Sequence, residues 1–250
     1  ARYVDTNASR QEPLRPVPGW PDKGNCNDRE EDSVTVLPRI TTFAWVPEFA
    51  RGLVRDMRPR WAFEEVGQAY EVNLIRDSRT EEHRRYQPFG QVPTYQDDEI
   101  EIFESGAIVL RIAERAGRLI PSDPRKRMKA IQWLIAALNT VEPVVMAFLV
   151  NEFFEAGRPW SSERRPVVLG YVETRLGDLQ ARLGDGPWLE GDEFTVGDLM
   201  MVSVLGPLRR TGILDRFPGV VAYVARGEAR PAHKKAMADH LAVFAQPVTA

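Results

Sequence analysis

From Arg39 onward the apolar positions follow two periods, and the change from one to the other divides the chain. "RITTFAW" is dense in β-branched and aromatic residues and predicts a strand with a buried face. In "LVRDMRPRWAFEEVG" Leu53, Met57 and Trp61 recur at helical spacing, with Val54 and Phe63 beside them and Gly67 as a C-cap. Pro59 must then kink this helix or lie in its first turns. "YEVNLI" alternates and predicts a second strand. "PTYQ" and "EIEIF" predict two short strands joined by a tight turn at Asp97-Asp98. "ESGAIVLRIAERAG" follows as a helix, with Ile108, Leu110, Ile112 and Ala113 apolar and Gly117 closing it.

Beyond "IPSDPRK" the pattern is helical to the end, through "RKRMKAIQWLIAALNTVEPVVMAFLVNEFFEAG", "SERRPVVLGYVETRLGDLQARLG", "TVGDLMMVSVLGPLRRTG", "VVAYVARGEARP" and "AHKKAMADHLAVFA". The prolines of "IPSDPRK", with Ser122 or Asp123 as an N-cap, mark it as the linker. The longest apolar run, "AIQWLIAALNTVEPVVMAFLV", is broken by Asn139, Glu142 and Pro143, so it reads as a buried helix rather than a membrane span. Residues 1–38, rich in Pro, Asp, Asn and Arg and without either period, read as an extended polar leader. The expected organisation is a leader over 1–38, a small α/β domain over 39–120 and an all-helical domain over 121–250.

Composition narrows the partners. A net charge of -3 over 250 residues gives none of the strong basic excess that nucleic-acid binding favours. The single cysteine, Cys26, excludes an intramolecular disulfide framework. With no basic-then-apolar secretory start visible, a cytoplasmic setting is expected. No metal requirement is expected.

Two steps in "PFGQVPTYQDDEIEIFESGAI" could carry chemistry. Were the Val92–Pro93 bond cis, the turn would free the backbone of Val92 to pair with an extended peptide-like ligand. A trans proline that merely opens an edge strand is the plainer alternative. Glu104 and Ser105 stand where a helix begins, and free N–H groups there favour an anion. Ser105 could hold a carboxylate and Glu104 an ammonium, or Ser105 could simply cap the helix.

Taken together, "QPFGQVPTYQDDEIEIFESGAIVLRIAE" resembles the glutathione-binding segment of cytosolic glutathione transferases of bacterial type, and "PWLEGDEFTVGDLM" resembles that family's mark in the helical domain. The resemblance spans roughly residues 39–244 and implies a thioredoxin-like N-terminal domain (βαβ-ββα), an all-α C-terminal domain and a homodimer. It implies that Gln91, Val92, Glu104 and Ser105 hold glutathione as co-substrate, that Pro93 is a structural cis-proline, and that a hydrophobic electrophile is conjugated, as in detoxification. The second motif reads physically as a capping box, Thr195 with Asp198, with Phe194 stapled onto Leu199.

One feature of the family is missing. Its members activate the thiol with a Tyr, Ser or Cys at the start of the first helix, whereas "AWVPEFARGLVRDMRPRW" contains none of these. Aligning "PRWAFEE" with the end of that helix puts Arg55, or the neighbouring Leu53, at the activating position. A guanidinium could favour a thiolate, or Arg55 could be a solvated surface residue. Trp45 and Trp133 are candidate walls of a second-substrate pocket, and a packed core indole is the alternative for Trp133. Arg76, Arg79, His83, Arg84 and Arg85 compete as partners for the ligand's glycine carboxylate. A transferase is thus expected, with a non-catalytic glutathione-binding or protein-interaction module as the alternative and a purely structural two-domain protein as a third reading.

Overall fold

The computed structural model describes residues 37–245. All but the last two residues of the expected leader, Cys26 among them, lie outside the described residues.

The first half builds a four-stranded sheet of order β2-β1-β3-β4. β1 (Arg39–Phe43) crosses through α1 (Met57–Val66) to β2 (Glu71–Ile75), which lies parallel to it. After α2 (Glu81–Tyr86), β3 (Thr94–Gln96) runs antiparallel to β1 and pairs with β4 (Glu101–Phe103). α3 (Ser105–Ala116) returns over the sheet and ends at Gly117, whose φ of 61° suits a residue without Cβ. Ile40 and Tyr95 point from the sheet into a core closed by Trp61, Phe63, Ile108 and Ile112. This is the expected thioredoxin-like arrangement.

The remainder is helical: α4 (Pro124–Ala136), α5 (Glu142–Leu149), α6 (Ser161–Leu183), α7 (Val196–Leu205), α8 (Pro218–Glu228) and α9 (Pro231–Val243). α7 is almost wholly buried and serves as the central post, packed by α4, α8 and α1. α1 also packs on α9, so sheet layer and helical layer share one core. A widened turn, Ala137–Val141, joins α4 to α5. It accommodates Pro143, which has no N–H to offer the α-helical ladder. The helix from Pro124 to Phe154 has a window of mean hydropathy 1.8 and is long and apolar enough to cross a bilayer, with 39% of that window buried in the fold. Its α4 and α5 segments pack on α7 and α6.

Three local expectations change. α1 starts at Met57 rather than Leu53, because a short 3-10 turn over Glu48–Ala50 is followed by further turns over residues 51–56; Pro59 thus falls in the first turn, where its missing N–H is harmless. The β3–β4 turn is longer than two residues, since the Asp97 carboxylate takes the amides of Glu99 and Ile100 at 2.8 and 2.9 Å and withdraws both from the strand. The charged run before Gln87 contains α2, capped by Thr80 and burying His83, although its pattern is almost wholly polar.

Candidate functional site

α2 prepares the loop that precedes β3. Gln87 and His83 are 2% and 6% exposed, so neither is a surface charge or amide in search of a role. The Gln91 amide donates to Gln87 Oε1 at 3.1 Å, and the Gln91 carbonyl lies 2.7 Å from His83 Nε2, which therefore carries the proton. Ser78 Oγ donates to the Gly90 carbonyl at 2.7 Å. Both backbone groups of Gln91 are held, and the Val92–Pro93 bond that follows Val92 is cis. Val92 is half-buried and precedes the first ladder residue, Thr94.

The register then matters. Thr94 pairs with Phe103, so Val92–Pro93 lies beside Glu104–Ser105 just beyond the end of the β3–β4 ladder. Glu104 has φ 72° and ψ 115°, a conformation that costs a non-glycine residue on the order of 1–3 kcal/mol. Its carboxylate is exposed, while Ser105, the first residue of α3, is 4% exposed. No side chain caps α3, so its leading amides stay open to a ligand.

Beneath Ser105 is a chain of charges. Arg58, 6% exposed, donates to Ser105 Oγ at 3.0 Å and to Glu142 Oε1 at 2.9 Å. Arg55 donates to the same Glu142 oxygen through Nη2 at 2.9 Å and Nε at 3.1 Å. Burial alone would push the Glu142 carboxyl up, but the two guanidiniums outweigh it and hold it below the usual carboxylate range. Burial pulls the Arg58 guanidinium down and Glu142 only partly restores it. The cluster itself, two cations around one anion, carries a surplus positive charge, which the exposed Glu104 carboxylate at the α3 N-terminus offsets from outside.

Arg55 and Arg58 also line a cavity of about 510 Å³ walled by Trp61, Met146, Val202 and Met237. A second cavity of about 550 Å³ adjoins it through Leu53, Val54, Met146, Pro207 and Arg210, and its outer wall is Phe49, Phe153 and Phe154.

Residues 49–114 match the glutathione S-transferase N-terminal domain and residues 142–240 the glutathione S-transferase C-terminal domain. A glutathione S-transferase of Hyoscyamus muticus is 30% identical over 177 residues, 64% of this chain and 80% of the relative. The chain belongs to the glutathione S-transferase family. A bacterial relative, the disulfide-bond oxidoreductase YfcG of Escherichia coli, is 27% identical over 62% of this chain and 75% of its own length. Among solved structures, a glutathione transferase from Burkholderia graminis with two glutathione molecules bound per subunit superposes with a TM-score of 0.71 at 25% identity, covering 80% of this chain and 87% of that one.

Within this family fold, the sequence-predicted residues divide. Gln91, Val92, Pro93, Glu104 and Ser105 come together beyond one end of the β3–β4 ladder, with Gln91 and Glu104 exposed and Pro93 and Ser105 buried. Arg55 stands at the cleft, 44% of its side chain exposed, joined to Ser105 only through Glu142 and Arg58. Trp45 is 56% exposed and lines neither cavity. Trp133 lies elsewhere: its indole N–H donates to Glu190 at 2.8 Å, and its Cβ lies against Gly197 of α7. Of the basic residues upstream, His83 reaches the loop before Pro93 through its ring and Arg84 reaches it through the Pro88 carbonyl. Sequence reasoning passed over Arg58 and Glu142. The visible signal was an arginine one turn beyond Arg55 and an acid-proline break in an apolar run.

Proposed function

We propose that this chain binds glutathione along Val92 and the start of α3 and adds its thiolate to a hydrophobic electrophile in the adjoining cleft. The observation that carries the reading is the β3–β4 register, which sets a cis Val92–Pro93 bond beside the uncapped α3 start at Glu104–Ser105. The Val92 N–H and C=O would pair with the cysteinyl backbone of the tripeptide as an added strand. Ser105 Oγ, already accepting from Arg58, keeps its proton to donate to the α-carboxylate, and Glu104 accepts from the α-ammonium. Gln91 adds an exposed amide at the same end of the ladder.

A free thiol has a pKa of about 8.5 and needs a donor or a positive field to react as thiolate near neutrality. Residues 44–56, between β1 and α1, contain no Tyr, Ser, Thr or Cys. The field is assigned instead to Arg55, with the surplus charge of the Arg55–Glu142–Arg58 cluster behind it. In the reaction the sulfur forms a bond to carbon, the thiol proton goes to solvent, and a leaving group, where present, departs with its electron pair. Positioning and thiolate stabilisation supply the rate. A homodimer acting in the cytoplasm on toxic electrophiles accords with the family and belongs to the same proposal, as does a division into domains near residue 120.

The missing hydroxyl favours one second reading, a glutathione-binding module without catalysis. Calorimetric titration with glutathione, together with thiolate absorbance across pH, separates them in wild type and Arg55→Ala. The transferase reading expects binding with a lowered thiol pKa that moves back toward 8.5 in Arg55→Ala. Binding with an unshifted thiol in the wild type would leave the non-catalytic module. No binding would overturn both.

A further inference from the structure

The cleft beside the proposed glutathione site is apolar in its walls but not in its charge. Five arginines line the cavity that contains Arg55 and Arg58, namely these two with Arg51, Arg209 and Arg210, against two acids, Glu142 and Glu228. The acids are already taken: Glu142 by Arg55 and Arg58, and Glu228 by Arg209 at 2.7 Å. His233 adds no charge at neutral pH, since burial holds its pKa below the ordinary value. Arg51 and Arg210 are left over. Among the described residues neither meets a carboxylate: Arg51 Nε is buried without an acceptor and its guanidinium lies 6.0 Å from the Phe244 ring, while Arg210 donates only to the Phe49 carbonyl. Arg210 lines both cavities, so its charge stands where the arginine-rich chamber opens into the one walled by Phe49, Phe153 and Phe154. The Arg51 guanidinium is partly withdrawn from water without a counter-charge, which is unfavourable and which a ligand anion would relieve, while Arg210 is exposed beside it in the lining of the same cavity.

Resting on the transferase reading, we infer that the second substrate is an aromatic electrophile bearing a carboxylate, its ring against the phenylalanine wall and its carboxylate between Arg51 and Arg210. In the conjugation the thiolate sulfur bonds to the ring or side-chain carbon, and the leaving group departs with the bonding pair. The carboxylate takes no part and serves only to hold the substrate. Neutral aromatic electrophiles of the same shape forgo that anchor.

The test uses the full chain and two unreactive probes of equal shape, 3-nitrobenzoate and 3-nitrobenzamide, titrated calorimetrically with and without saturating glutathione. The anion is expected to bind about tenfold more tightly than the amide, equivalent to about 1.4 kcal/mol. Its advantage should shrink with added salt. Arg51→Met and Arg210→Met, each checked for an unchanged unfolding midpoint, should erase the preference and leave glutathione affinity unaltered. Should either substitution disturb folding, Arg210→Lys, which keeps the charge, is expected to retain most of the preference. Equal affinity for the two probes overturns the inference. So does mutual exclusion of nitrobenzoate and glutathione, which would assign the arginines to glutathione itself. Failure of the transferase reading looks different: both compounds bind together, yet 4-chloro-3-nitrobenzoate releases no chloride.

Discussion

α3 and α7 begin in the same way on paper and differently in space. Each is preceded by a polar N-cap residue, Glu104 or Thr195, and each carries glycine at its second position so that it can press on α4 or its continuation. A Cβ on Gly106 would meet Leu138 at 2.5 Å, and one on Gly197 would meet the Trp133 Cβ at 2.6 Å. At α7 the start is closed. Thr195 Oγ1 accepts from the Gly197 amide, and Asp198 accepts from the Thr195 amide, the Thr195 hydroxyl, the Leu189 amide and the Tyr223 hydroxyl. At α3 the start is open: Glu104 offers no cap and holds a left-handed backbone, and Ser105 leans on a charged cluster that reaches into α5. A helix start whose donors are all satisfied internally is architecture. One left unsatisfied beside a cis-proline loop is available to a ligand.

The sharpest way to break that contrast is Asp198→Ala. Asp198 is fully buried, and its four donors would lose their acceptor together. Burial pushes its carboxyl up against those bonds, so the residue is maintained for structure at some expense. A loss of about 3 kcal/mol or more in urea unfolding is expected, with each orphaned buried donor costing about 1–3 kcal/mol. Glutathione affinity per folded molecule should be unchanged. A loss under about 1 kcal/mol would reduce the motif to an ordinary cap.

Glu142→Gln should come next, at about 2 kcal/mol near neutral pH, because it leaves buried Arg58 without its counter-charge. The sign with pH follows from the lowered carboxyl of Glu142. Its ionised form stabilises the fold above the unfolded value of about 4.3, and that contribution fades as pH falls through the folded value. Unfolding midpoints of wild type and variant should therefore converge in acid. A constant difference down to pH 3 would remove the ion pair from the account.

How much of this could be read from the chain depends on how local each feature is. The hairpin, the cis-proline step and the Thr195–Asp198 box are written in consecutive residues, and turn chemistry and capping act over that range. α2 escaped because its helix is stabilised by a Thr80 cap and by the burial of His83, not by an apolar stripe. The Arg58–Glu142 pair joins residues 84 positions apart, so nothing local marks it. The same holds for Trp133, whose apolar neighbourhood in sequence hid a partner, Glu190, that the fold brings from 57 residues away.

Ser105→Ala tests the open end directly. It removes one hydroxyl that accepts from Arg58 and is assigned to the ligand carboxylate. Affinity for glutathione should fall about tenfold, the value of a hydrogen bond to a charged group of roughly 1.5 kcal/mol, with stability changed by less than about 1 kcal/mol. If stability falls and affinity does not, Ser105 belongs with Thr195 as architecture.

The smallest effect is the most discriminating. Glu104→Gly relieves the left-handed backbone at φ 72°, which is worth on the order of 1 kcal/mol, while glycine's extra freedom in the unfolded chain takes back about 0.5–1 kcal/mol. The net change in unfolding free energy is therefore expected within about 0.5 kcal/mol of zero, despite the loss of a whole side chain. The carboxylate assigned to the ligand's ammonium disappears at the same time, so glutathione should bind several-fold more weakly. A near-neutral stability with weakened binding would mean that the strain at the α3 start is retained for the ligand. Destabilisation by more than about 1 kcal/mol, with binding intact, would mean that Glu104 serves the fold, and the distinction between the two helix starts would fail at its open end.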